Sequence, residues 1–313
     1  MSPHERSAPA SPAPAWPRRA ALALGLGVVV VVAASRLSAT PPSPTPPAAS
    51  SAQAGTLAGL CEASAIVPKA DGFLVGDNET EDRLHGLSRG METAAPRALG
   101  AEVEDIEALV ALPDGGLLVV GSQGASKKGK RKELRERVLV LGGSVPEATP
   151  VRPDLSACGA CEAARGRPPK EGGLSVEGAA WWSGALWLGL RSPLVDGQAL
   201  LLRMEGDPRV SLSVAQVLSV DLGGDAVRDL LVHDGALLLL AGPADDARRP
   251  HALYRLGSPG AAPTRLPLEL PPGAEGIAVD QADLVVVTDG DGPPGTACKE
   301  PAGWVRVPLP PSG

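Results

Sequence analysis

Aromatic side chains are scarce: the 313-residue chain has five Trp, one Tyr and one Phe. Any sizeable core must therefore be built from Leu, Val and Ala, and recognition of nucleic acid by stacked aromatics is disfavoured. Surplus positive charge is also missing. The net charge is −7 and the pI is near 5.2, which argues against a general polyanion binder. The common signatures of catalysis are absent too: no G-x-S-x-G elbow, no H-E-x-x-H, no Walker loop, and no G-x-G-x-x-G after a strand. The four histidines (His4, His85, His233, His251) have no partner at metal-ligand spacing and are expected at the surface. The sequence names no reaction.

What is present begins with an export signal. Residues 1–17 are rich in Pro, Ala and Ser. Arg18 and Arg19 then precede an uncharged stretch, Ala20–Ala34, followed by small residues and closed by Arg36. Residues 1–39 have the layout of a cleaved signal peptide, with an uncleaved signal-anchor as the alternative, since about 20 apolar residues are needed to span a bilayer. Residues 40–55 form a Pro/Ala/Ser-rich spacer, and a single domain is expected over 56–313. The expected location is periplasmic or extracellular, or the outer side of the inner membrane, with membrane contact only through the leader.

Within the domain, five segments align: Glu62-Ala-Ser-Ala-Ile-Val, Glu107-Ala-Leu-Val-Ala-Leu, Glu177-Gly-Ala-Ala-Trp-Trp, Asp229-Leu-Leu-Val-His and Glu275-Gly-Ile-Ala-Val. Each opens on a carboxylate, runs apolar, meets a turn such as Ser183-Gly184 or Asp234-Gly235, and resumes as a second apolar run. Asp-Gly between apolar runs is a strong hairpin signal. Gly178, Gly184, Gly189 and Pro193 break the central stretch too often for a helix. The carboxylates are spaced 45, 70, 52 and 46 residues apart. Such a period indicates an all-β propeller, with five visible blades and a degenerate sixth left open. The long interval holds one blade plus a basic loop and a Cys insert. Thr56–Leu60 is expected to supply the last blade's missing outer strand and close the ring.

Four cysteines suit an oxidising compartment. The expected pairs are Cys61–Cys298, where the chain ends should meet, and Cys158–Cys161. A redox pair or half a zinc site are the alternatives for the latter.

In a propeller the first strand of each blade lines the central channel. Glu62, Glu107, Glu177, Asp229 and Glu275 would then converge at one mouth. So many carboxylates need compensation. They could bind a divalent cation such as Ca²⁺, pair with Arg191 and Arg228, accept neighbouring backbone N–H groups, or act as acid and base. The polar loops after the second strands are expected on one face. Arg191, Arg228, Lys128, Lys130 and Arg131 are candidates there for an anion site.

The phrases KEGGLSVEGAA, LGLRSPLVDGQALLL, VDLGGDAVRDLL, AGPADDARRPHALYRL, AEGIAVD and CKE resemble those of an uncharacterised bacterial propeller family of unknown function. That family is similar to esterase-like phytase and strictosidine-synthase-like propellers. The resemblance runs from about Cys61 to Val307 and implies the propeller fold without implying an activity. Gln123 departs from it, standing where a His is common. The functional expectation is an exported monomeric propeller that binds a small molecule or protein partner on its loop face, and not nucleic acid. The alternative is a divalent-metal-dependent hydrolase of phosphoesters, esters or lactones at the channel mouth.

Overall fold

The computed structural model describes residues 52–143, 149–245, 247–290 and 298–310. The leader and most of the spacer lie outside the described residues. Among the described residues, no helix is long and apolar enough to cross a membrane.

Alternating apolar runs and tight turns fold into five antiparallel sheets arranged as the blades of a propeller. The chain enters at β1 (Gln53–Thr56). Blade one follows as β2 (Ala63–Lys69), β3 (Gly72–Asp77), β4 (Arg83–Ser88) and β5 (Thr93–Ala98). Blade two is β6 (Ile106–Ala111), β7 (Leu117–Gly121) and β8 (Val138–Leu141). Its fourth position is taken by Val151, which bridges to Val138. A short helix, α1 (Gly159–Ala164), then leads into blade three: β9 (Ser175–Trp182), β10 (Ala185–Ser192), β11 (Ala199–Asp207) and β12 (Ser211–Val220). Blade four is β13 (Ala226–His233), β14 (Ala236–Gly242), β15 (His251–Leu256) and β16 (Thr264–Leu270). Blade five is β17 (Ala274–Asp280), β18 (Asp283–Thr288), β19 (Gly303–Pro308) and, outermost, β1. No sixth blade occurs among the described residues.

The inner hairpins turn as the sequence indicates. Ser183-Gly184 and Asp234-Gly235 both hold positive φ at their two central residues, the twist that matches right-handed strands. The inner strands β2, β6, β9, β13 and β17 contact one another in cyclic order, so the ring closes on itself. Five apolar clusters fill the five seams between blades, each drawing on two neighbours. Between blades three and four, Trp182 and Trp187 stack tilted at 5.6 Å against Leu230, Leu237 and Leu239. Close approach of blades leaves room only for glycine at some sites. A Cβ on Gly178 would lie 2.9 Å from the Asp229 and Leu230 backbone.

Ring closure uses a different segment from the one expected. The closing strand is Gln53–Thr56, paired with Gly303–Arg306, whereas Leu57 and Leu60 are fully buried in the seam between blades five and one. The physical reason is polarity. The exposed outer strand can be built from Gln53, Ala54, Gly55 and Thr56, while the two leucines are more stable as a plug. Cys61 and Cys298 are bonded across the same closing blade, and Cys158 is bonded to Cys161 at the start of α1. The Asp280 carboxylate, 5% exposed, ties the seam by accepting from Arg89 of blade one and, at 2.8 Å, from Arg306 of β19.

Candidate functional site

Each inner strand carries one β-bulge near its start, and the five bulges sit at equivalent positions. In β2 the pairing jumps over Ser64, in β6 over Glu107, in β9 over Glu177, in β13 over Arg228 and in β17 over Glu275. A bulge leaves its extra residue out of the ladder and re-aims the side chain. Four of the five bulged residues, all but Ser64, line one cavity of about 660 Å³ at the mouth of the channel. The Ser64 hydroxyl instead donates to the Ile106 carbonyl of the next blade.

Arg228 sits among the acids. Its Nε donates at 3.0 Å to Glu275 Oε2 and lies 3.0 Å from Glu177 Oε2, and its Nη2 also donates to Glu275. Arg191 holds the other side of Glu177, with Nη1 at 3.0 Å from Oε1, and is itself anchored by Nε to the Ala244 carbonyl. All three central side chains are enclosed, Arg228 at 7%, Glu177 at 4% and Glu275 at 12% exposure. Glu107 is different. It lines the cavity at 8% exposure, and among the described residues its carboxyl has no hydrogen-bond or ion-pair partner.

Desolvation therefore dominates the electrostatics. Burial pushes the Glu107 carboxyl well above its usual range, aided by the charges of Asp105 and Glu177. Burial also lifts Glu275 to about 7, against the pull of Arg228. Glu62 is raised to about 7 by burial and by Asp289, and Asp289 is raised to about 6 by burial. His251, at the first position of β15 and 2% exposed, lines the same cavity, and neither ring nitrogen finds a well-placed partner, a weak contact to the Arg249 backbone aside. Burial and the adjacent Arg228 lower it to about 4, so its imidazole is neutral.

Two of the five leading acids are not where the repeat places them. Asp229 is turned into the seam between blades four and five, where its oxygens accept from Leu230 N at 2.7 Å and Ile277 N at 2.8 Å. The bulge puts Arg228 in the channel position and shifts Asp229 one residue outward. Glu62 precedes β2 and reaches the cavity from its rim, because the bulged position of that blade is Ser64. Glu107, Glu177 and Glu275 do line the channel mouth.

The anion candidates divide in the same way. Arg191 and Arg228 line the cavity, whereas Lys128, Lys130 and Arg131 do not. The loop between β7 and β8 is largely neutralised internally. Arg131 forks onto Glu136 at 2.6 and 2.7 Å, with Arg152 on the same carboxylate, and Arg135 binds Glu104 and Asp105. Gln123 is buried there and donates to the Gly121 and Arg135 carbonyls. Of the other polar loops, Asn78, Arg191, Asp245, Arg248 and Asp289 do reach the cavity, while Asp291 lies outside the described residues.

His251 and Asp289 also line the cavity. The expectation that His251 is a surface residue is wrong, because β15 packs its first residue against Arg228 and Gly242. Its apolar neighbours in Ala252-Leu253 were the available signal. A divalent-metal site fits poorly. Among the described residues no group of three or more His, Cys, Asp or Glu side chains is placed to hold an ion, and the Arg228 guanidinium occupies the centre of the acids.

Residues 166–265 match a family described as "Protein of unknown function (DUF3616)". That span runs from the end of α1 through blade three and into β16. No curated protein matches the chain. Among solved structures, similarity extends to the Bacteroides ovatus xyloglucan-locus protein GH43B, at 11% identity and a TM-score of 0.48, covering 75% of this chain and 50% of that one. A Thermus thermophilus protein described as a putative oxidoreductase (glucose dehydrogenase) shares 15% identity at a TM-score of 0.41, with 82% and 99% covered. An exo-β-1,3-galactanase from Phanerochaete chrysosporium shares 10% identity at 0.47, with 80% and 61% covered. This chain thus spans half the length of the Bacteroides protein. Likenesses this distant say nothing about chemistry.

Proposed function

We propose that this chain is an exported propeller that binds a small polar ligand at its channel mouth. One observation carries the reading: side chains from all five blades line a single polar cavity of about 660 Å³, within the volume range typical of small-molecule sites. The bulged strands hold them there on rigid elements, and that kind of pre-organisation lowers the entropic cost of binding. The two disulfides support the export half, since such bonds persist in oxidising compartments. A cleaved leader or an uncleaved anchor would deliver the domain to the same side of the membrane.

The metal-dependent hydrolase reading gains nothing from the geometry, since Arg228 already supplies the positive charge the acids need. The ligand-binding reading is tested by thermal shift and calorimetry of the purified chain against neutral polyols, dicarboxylates and amines. Saturable binding that Arg191→Ala or Glu177→Gln weakens would support it. Absence of binding in all three classes would count against it.

A further inference from the structure

The two sides of the cavity are not electrostatically alike. Toward blades three to five the charges are matched, with Arg191 and Arg228 engaged by Glu177 and Glu275. Toward blades one, two and five they are not. The Glu107 carboxyl, more than nine-tenths buried, faces the cavity with no hydrogen-bond or ion-pair partner among the described residues. Asn78 Oδ1, an acceptor only, is wholly buried on the same lining and likewise lacks a donor. Glu62 and Asp289 add two more carboxyls, close enough to repel each other. With its carboxyls ionised this wall offers mainly acceptors, and unmet buried acceptors are costly.

We infer that the wall formed by Glu107, Asn78, Glu62 and Asp289 receives a protonated amine of the ligand. This rests on the ligand-binding reading above and narrows it to an organic cation. An ammonium carries three donors and one positive charge in a compact group, which suits several converging acceptors. The matched wall opposite, where Glu177 and Glu275 sit beside the guanidiniums, leaves room for the ligand's polar remainder.

A chemical consequence follows for protons. The groups facing Glu107 are the acids Asp105, Glu177 and Glu275 and the guanidiniums of Arg228 and Arg135. Those facing Glu62 are Asp289, Glu79, Asp77 and Asp105, all acids. Asp289 has Arg228 and Arg248 to lower it and Asp77 to raise it. Burial and neighbouring acids raise these carboxyls, Glu62 to about 7 and Asp289 to about 6, so an arriving cation displaces protons. Binding is therefore coupled to proton release, and it strengthens as pH rises from about 5.5 to 8.

The test is isothermal titration of the full chain with putrescine, and with mannitol and succinate as neutral and anionic comparators. Buffers of different ionisation enthalpy read the protons released. Expected are saturable putrescine binding, proton release at pH 7, and affinity at least tenfold weaker at pH 5.5 than at pH 8. Glu107→Gln should weaken putrescine at least tenfold, and Glu62→Gln serves as the second variant should the first fail to fold. Binding of mannitol or succinate without putrescine would overturn the amine assignment and leave the ligand site standing. Putrescine affinity that is flat with pH, or unchanged in both variants, would overturn it as well. Failure of all three probes would remove both readings together.

Discussion

Replacing Arg228 with Met tests whether the channel mouth is held by charge balance. The side chain is nearly enclosed, and its fork serves two carboxylates that are themselves buried. Met keeps most of the volume, so packing loss is small and the effect is electrostatic. Removing one partner of a buried ion pair costs roughly 3–5 kcal/mol, because the other charge is stranded. A domain of this kind has about 5–15 kcal/mol in hand, so the variant should fold but be visibly weakened at pH 8. The cost must depend on pH. Glu275 sits near 7 even with Arg228 beside it, and without the guanidinium it moves higher. At pH 5 it is protonated in either protein, and the penalty for stranding it disappears. Each unit of pKa difference corresponds to about 1.4 kcal/mol, so the destabilisation at pH 5 should be about half that at pH 8. Urea unfolding followed by tryptophan fluorescence measures both. Adding Glu275→Gln to Arg228→Met should restore a large part of the loss at pH 8. A loss under about 1 kcal/mol at pH 8, or one equal at both pH values, would refute the reasoning.

Further predictions concern other parts of the ring. For the wild-type chain, folded-state carboxyls raised above their unfolded values bind protons that the unfolded chain has released. Stability due to Glu275, Glu62 and Asp289 is therefore complete below about pH 4.5 and is lost as pH rises through about 6–7. His251 opposes this, because its lowered pKa makes the folded state lose stability as pH falls from about 6.5 through 4. Three carboxyls outweigh one imidazole, so melting temperature should fall from about pH 4.5 to about pH 7 and level off above it. Cys61→Ser with Cys298→Ser opens a link across 237 residues. The chain-entropy model allows up to about 5 kcal/mol for it, seen as a lower urea midpoint that reductant reproduces in the wild type. Gly178→Ala places a methyl 2.9 Å from the backbone of the next blade and should cost about 1–3 kcal/mol in the same assay.

The architecture was legible because a propeller advertises itself through repetition. Paired apolar runs joined by Ser183-Gly184 and Asp234-Gly235 state the inner hairpins almost directly. The two chain ends with their cysteines indicated where the ring shuts. The site was less legible, and the bulges are the cause. An extra residue in one strand is invisible in a linear string, yet it changes which side chain faces the channel. Aligning blades by their first carboxylate therefore took Asp229 for Arg228 and Glu62 for Ser64. Ion pairing was hidden for a related reason. Arg131 and Glu136 are five residues apart, but nothing in their spacing says that Arg152 joins them. His251 was missed because a lone histidine beside a loop gives no sign of the Arg228 guanidinium that encloses it.

The closing blade takes its outer edge from Gln53–Thr56 and its neighbour from Gly303–Pro308. The first strand of the ring must therefore wait, unpaired, for the last. Without β1 blade five would be a three-stranded sheet with an open edge, and such edges recruit other chains. A long delay between partners also slows folding, since distant contacts must be closed before they contribute. The final act of assembly can therefore begin only once nearly the whole domain is available.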